Sequence, residues 1–251
     1  MKKLLGLLVV VALISGCASV APDPSILRVG VSPDSQPIIF KQGGAISGIE
    51  ASFAEKLGAG LGRRVVFVEV PWKKQIDYLE QNKTDIIMSG MSITSARNIR
   101  VNFAIPYLNA GLTGLFRRDA YNAQGLIASL AVNQMKGIGY VKDTSGEFFV
   151  MKNFSAFDKK GYSTAKAAAK ALKKGKINIV IYDAPMLWQI FAENEADLMA
   201  FPEFLNVEPL AWAVRKGDLK LLDEVNTQLK SMDEDGTRQR IIKNWIPALN
   251  R

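Results

Sequence analysis

Residues 85–107 read DIIMSGMSITSARNIRVNFAIPY. The stretch opens as an apolar strand through Ile86, Ile87 and Met88 and breaks at Ser89 and Gly90. It resumes as a short polar helix over 94–100 and leaves through Phe103, Pro106 and Tyr107. A strand running through a loop into a helix leaves unpaired backbone N–H groups at the carboxyl end of a sheet. Open α/β sheets bind small ligands there. Arg97 falls one turn into the helix, and its guanidinium fork joined to two backbone donors makes a complete carboxylate receptor. The same spacing also fits an ordinary connection in which Thr94 caps the helix and Arg97 faces solvent.

Upstream, 27–31 reads as a strand, 32–37 (SPDSQP) as a turn-rich loop and 38–44 as a small hairpin. Gly48 opens a helix whose Ile49, Phe53 and Leu57 recur at helical spacing. A strand at 64–70, a helix at 73–81 and a strand at 86–89 follow, an order that predicts a parallel sheet covered by helices. Downstream, 111–117 is extended and leads away from this unit. A second unit then begins with a strand at 137–141 and a helix from Glu147. An Ala/Lys helix capped by Ser163 stops at Gly175, and the apolar strand 177–182 is expected at the centre of a parallel sheet. Asp183 follows directly and starts a helix with Pro185 in its first turn. Short strands at 198–201 and 209–214 and helices at 219–232 and 237–245 complete the pattern. Two βαβ units with an extended crossing between them predict two lobes around a cleft.

The chain has 251 residues, 48% of them hydrophobic and 22% charged, which suits one large folded domain or two small ones. Beyond residue 17 no run approaches the ~20 apolar residues that span a bilayer. At the start, Lys2 and Lys3 precede an apolar run over 4–14 and then Ser15, Gly16 and Cys17, the layout of an export signal. The net charge is +8, but the basic residues are scattered. The densest run, KAAAKALKK at 166–174, has one polar face and no aromatics, so it reads as a solvated helix face and not a nucleic-acid track. There is no histidine, and Cys17 is the only cysteine. His-based triads, Cys nucleophiles and most transition-metal sites are thereby excluded, and neither metal nor cofactor is expected.

Taken in order, GIEASFAEKLG (48–58), the 85–107 stretch, GKINIVIYDAP (175–185), EPLAWAVRKGD (208–218) and DGTRQRIIKNW (235–245) resemble a known family. It is the bacterial periplasmic solute-binding proteins, family 3, of polar amino-acid ABC transporters, and the likeness spans about 26–247. It implies the type II periplasmic-binding-protein-like α/β fold, two lobes joined by two hinge strands with a cleft between them. Lobe one would be 26–110 plus 206–251 and lobe two 111–205. Ile-Ser-Gly-Cys resembles the bacterial lipoprotein box, which makes 1–17 a lipoprotein signal ending at an acylated Cys17 and 18–25 a tether. Carried over, Arg97 and the backbone at Ser92 hold a ligand's α-carboxylate and Asp183 its α-ammonium, with Ser89 and Gly90 beside the amine. Thr144 and Ser145 add the second lobe's contribution to the carboxylate, Trp72 packs on the ligand side chain, and Ser35 belongs to the first-loop part of the site.

The sequence departs from the pattern at named positions. Glu50 is kept, but Ser52 stands where a second acid is usual, Gly90 replaces a hydroxyl residue, and Asp143 replaces a glycine. Ser32 and Ser35 stand where binders of basic amino acids have an acid and an aromatic ring, which argues against a lysine- or arginine-type ligand. The reading is a monomeric, non-enzymatic, lipid-anchored solute-binding protein on the periplasmic face of the cell envelope, delivering an amino acid to an ABC permease and not binding nucleic acid. Ala18 after Cys17 leaves inner against outer membrane undecided. The alternatives are a sensory or scaffold envelope lipoprotein, or an enzyme like cyclohexadienyl dehydratase with Glu147 or Asp143 as acid/base.

Overall fold

The computed structural model describes residues 23–120 and 137–246, so Cys17 and the signal segment lie outside the described residues. One five-stranded sheet runs in the order Arg64–Glu69, Ile26–Val31, Ile86–Ile87, Ala213–Arg215, Val101–Phe103. A second runs Lys159–Tyr162, Ile138–Val141, Ile179–Asp183, Leu112–Arg117, Leu198–Ala200. The expectation of parallel sheets is corrected, because both are mixed. In each, three neighbouring strands are parallel and the remaining pairings are antiparallel. The parallel strands are linked through helices and share one direction. Leu112–Arg117 and Ala213–Arg215 instead enter from the crossings between the halves, at the carboxyl ends of those strands, and so run the other way.

The crossings are Leu108–Ala110 and Glu208–Leu210, paired antiparallel as a two-stranded bridge. They pass within backbone contact: a Cβ on Gly111 would lie 2.0 Å from the Asn206 carbonyl oxygen, so no larger residue fits. The strand expected over 209–214 is therefore two strands, one in the bridge and one in the first sheet.

The periodicity at 49–57 has its expected consequence. Ile49, Phe53 and Leu57 on the helix Ile49–Leu61 are fully buried, each contributing about 1.5–3 kcal/mol relative to exposure. Phe53 meets Tyr107 and Trp212 edge-on at 5.4 and 5.5 Å between ring centres. The start of the 85–107 stretch is pinned by a bidentate pair, Arg28 Nε to Asp85 Oδ2 at 3.0 Å and Nη2 to Oδ1 at 2.6 Å. Ile179–Asp183 is buried along its whole length. The helix Ala165–Lys173 is capped by Thr164, whose Oγ1 accepts the Ala167 N–H at 3.1 Å, and not by Ser163. The helix expected from Glu147 begins earlier, as Ser145–Asn153.

Candidate ligand-binding site

The carboxyl ends of the parallel strands of both sheets converge on a cavity of about 370 Å³, within the size range of small-molecule sites. All nine residues named from the sequence line it: Ser35, Trp72, Ser89, Gly90, Ser92, Arg97, Thr144, Ser145 and Asp183. Arg97 is delivered by the helix Ser95–Arg100. Thr94 does cap that helix, its Oγ1 accepting the Arg97 N–H at 3.2 Å, yet the Arg97 side chain faces the cavity. Its Nη1 donates to the Ser92 carbonyl at 2.9 Å, and its guanidinium lies 5.2 Å from the centre of the Trp72 ring. The guanidinium's other nitrogens make no hydrogen bond among the described residues.

Asp183 ends the buried strand Ile179–Asp183 in the other half and is 9% exposed. It occupies the N-cap position of the helix Ala184–Ala192 but makes no capping hydrogen bond, so the plain capping role does not hold its carboxylate. Burial pushes that carboxyl up to about 7, the nearby Glu208 adds to the rise, and Arg97 opposes it. Burial likewise lowers the Arg97 pKa, against the fields of Asp183, Glu208 and Tyr182. Glu208 takes the Asn206 side-chain N–H at 2.9 Å on one oxygen, while its other oxygen is buried with no hydrogen-bond partner among the described residues. One half-buried guanidinium thus sits among two acids, and an added ammonium at Asp183 relieves the excess negative charge.

Among the described residues two hydrogen bonds join the halves across the cavity: Trp72 Nε1 donates to the Asp143 carbonyl at 2.7 Å, and Ser92 Oγ lies 3.4 Å from Ser145 Oγ. Trp72 thus has partners beyond those expected, since its face meets Arg97 and its edge meets the opposite half. The Thr144 hydroxyl donates inward to the Val141 carbonyl at 2.8 Å.

The departures have local explanations. Gly90 has φ 69, and a Cβ there would come 2.9 Å from Ile38 Cγ2, so a side chain is disfavoured twice. Asp143 also adopts a left-handed φ of 62, which aspartate tolerates, and its N–H is taken by Glu147 Oε2 at 2.7 Å. Ser32 is buried behind the wall, its N–H donating to Ser89 Oγ at 2.8 Å. Ser52 Oγ accepts Trp245 Nε1 at 3.2 Å and so ties down the last helix. Glu147 lines an outer groove and not this cavity, whereas Asp143 borders both. The sequence reading missed Asp34 and Tyr182, which line the cavity, and Glu208, which acts on it through its field. Among the described residues no group of three or more His, Cys, Asp or Glu is placed to hold a metal ion, and no helix is long and apolar enough to cross a membrane.

Two mixed α/β halves, a paired bridge and a polar cavity between the strand ends define a two-lobed binding-protein architecture. The chain belongs to the bacterial extracellular solute-binding proteins, family 3, whose description matches residues 27–248. It is 23% identical to the L-cystine-binding protein TcyJ of Escherichia coli (strain K12), over 93% of this chain and 87% of that one. It is 26% identical to the ABC transporter arginine-binding protein 1 of the same strain, over 98% and 100% of the two chains. Among solved structures it is similar to the ancestral amino acid-binding protein AncCDT-1, a precursor of cyclohexadienyl dehydratase. That match has a TM-score of 0.79 at 30% identity and covers 88% of this chain and 95% of the other. A binding component of an ABC transporter from Wolinella succinogenes DSM 1740, complexed with lysine, gives 0.82 at 28%, with 88% and 95% covered.

Proposed function

We propose that this chain is a solute-binding lipoprotein that captures a free amino acid between its lobes and presents it to an ABC importer. Arg97 and the Ser92 region hold the α-carboxylate and Asp183 the α-ammonium. Ser89, Gly90, Thr144, Ser145, Trp72 and Ser35 complete the enclosure. The observation that carries this is the meeting of Arg97 and Asp183, from opposite halves, at one small cavity, with the aspartate buried and its carboxylate making no capping hydrogen bond among the described residues. A zwitterion needs that arrangement, and each charge-assisted hydrogen bond contributes about 1.5–3 kcal/mol. A ligand held by both lobes favours the closed arrangement through its differential affinity. Lobe one is 26–110 with 206–251, lobe two is 111–205, and the protein acts as a monomer held to the periplasmic face of a membrane through Cys17.

Melting curves of the soluble part with each of the common L-amino acids and L-cystine test this. At a ligand concentration 100 times Kd, one of them adds about 2.7 kcal/mol, or roughly 5–11 °C for a chain of this size. Arg97→Ala removes one partner of the charged pair, costs about 2–5 kcal/mol of affinity and cuts that shift to under about 4 °C. No shift with any amino acid, or an unchanged shift in Arg97→Ala, overturns the assignment, and turnover of prephenate or arogenate would replace it with an enzyme. Fatty-acid labelling that persists in Cys17→Ser would refute the anchor.

A further inference from the structure

The sequence kept one acid at the opening of the helix Ile49–Leu61, and the binding chemistry above leaves that residue, Glu50, unused. It is fully buried. Among the described residues no cation is paired with it; three donors from three separate segments converge on it instead. Oε1 accepts the Gly90 backbone N–H at 2.8 Å and the Tyr107 hydroxyl at 2.9 Å, and Oε2 accepts Trp212 Nε1 at 2.7 Å. Gly90 belongs to the loop that lines the cavity. Tyr107 immediately precedes the bridge strand Leu108–Ala110, and Trp212 lies two residues after Glu208–Leu210. The two rings stack at 5.6 Å with an interplanar angle of 24°, so the roots of both crossings form one packed unit with the carboxylate at its edge.

We propose that Glu50 is a positioning residue for ligand capture, whose carboxylate ties the cavity loop at Gly90 to the lobe-one roots of both crossings. Resting on the binding-protein reading, this makes loop shape and hinge angle vary together. A carboxylate suits the position because it is acceptor-only and faces only donors, whereas an amide cannot satisfy them all. With its oxygen toward Gly90 and Tyr107, a glutamine would point its NH2 at the Trp212 indole, which can only donate. Turned round, it would point NH2 at the Gly90 N–H. Burial opposes ionisation and moves the Glu50 carboxyl up to about 7, while the bonds from Gly90, Tyr107 and Trp212 hold it down. An unmet donor in this place is therefore felt by both the loop and the hinge.

Residue-resolved amide hydrogen exchange of the ligand-free protein tests the tie without any ligand. Glu50→Gln is expected to speed exchange at least tenfold over 88–92 and at the two crossings together, leaving the distant strand Ile138–Val141 unchanged. Phe53→Leu trims the ring packed on Tyr107 and Trp212 but spares the carboxylate, and is expected to leave Gly90 protected. Should Glu50→Gln not fold, Tyr107→Phe and Trp212→Phe each cut one arm and are expected to loosen their own crossing. Unchanged exchange at Gly90, equal acceleration throughout the chain, or the same loop opening in Phe53→Leu overturns the proposal, as does unaltered exchange at the crossings in both Phe variants. In binding, with the common L-amino acids and L-cystine as probes, Glu50→Gln is expected to weaken the one the wild type takes at least tenfold. A wild type that binds none of them counts against the ligand reading, while the exchange pattern still decides the role of Glu50.

Discussion

Replacing Asp183 by asparagine is expected to make the empty protein more stable while destroying its capacity to bind. The Asp183 carboxyl is raised from 3.8 to about 7 by burial and by Glu208. Its folded pKa thus exceeds its unfolded one. The native state holds the proton across that window, stability falls as pH rises through it, and the loss is complete above about 7. Three units correspond to about 4 kcal/mol, from which an unpartnered buried amide takes back about 1–3 kcal/mol. The net expectation for Asp183→Asn at pH 8 is a gain of about 1–3 kcal/mol, or roughly 2–12 °C in melting temperature. At pH 5 most of that gain is gone, because the wild-type carboxyl is then protonated and uncharged. Glu50, raised in the same direction to about 7, titrates alike in both proteins, so their difference isolates Asp183. Melting curves without ligand at pH 5 and pH 8 measure it. A variant less stable than wild type at pH 8, or a gain equal at both pH values, would refute the reasoning.

The same charge predicts that wild-type affinity for its amino acid falls as pH drops below about 7, by up to roughly tenfold per unit, because the incoming ammonium must displace a proton from Asp183. Calorimetric titration in buffers of different ionisation enthalpy would reveal the released proton; pH-independent affinity between 5.5 and 8 contradicts it. Trp72→Phe keeps a ring under Arg97 but removes the 2.7 Å bond to the Asp143 carbonyl, about 1 kcal/mol of the closed arrangement. Stopped-flow dissociation of the amino acid should then be about fivefold faster, and an unchanged rate would show that the bond does not hold the halves together. Gly90→Ala forces a β-carbon into a left-handed conformation and against Ile38, costing at least about 1–2 kcal/mol and lowering the melting temperature by roughly 2–8 °C.

What the sequence disclosed follows from which features are local. The helical spacing of Ile49, Phe53 and Leu57, the strand–loop–helix order of 85–107 and the place of Asp183 after an apolar strand are each set within a few residues, and the structure has all three. Sheet direction was misread because the segments entering from the crossings reverse it, a consequence of topology that no window along the chain contains. Asp34 and Tyr182 escaped for a related reason. Asp34 falls in a stretch that reads as turn residues but forms a short strand, Asp34–Ser35, and Tyr182 lies inside a buried strand, so only the folding of one half against the other brings both to the cavity. Glu208 stood in plain view within EPLAWAVRKGD. Its influence is that of a charge brought near Asp183 by the pairing of the crossings, which is a property of the packed bridge. The choice of Thr164 over Ser163 as cap turned on a single residue of phase.

Of the four tryptophans, Trp72 alone among the described residues borders the cavity; Trp212 is sealed in the core, Trp188 stacks on Phe204 and Trp245 meets Phe40. One indole therefore touches the arginine on its face and the opposite half through its N–H. Its emission colour and quenching should change when the gap fills or opens, while the other three indoles give a steady background. The molecule carries its own optical gauge of occupancy, readable without dye or label.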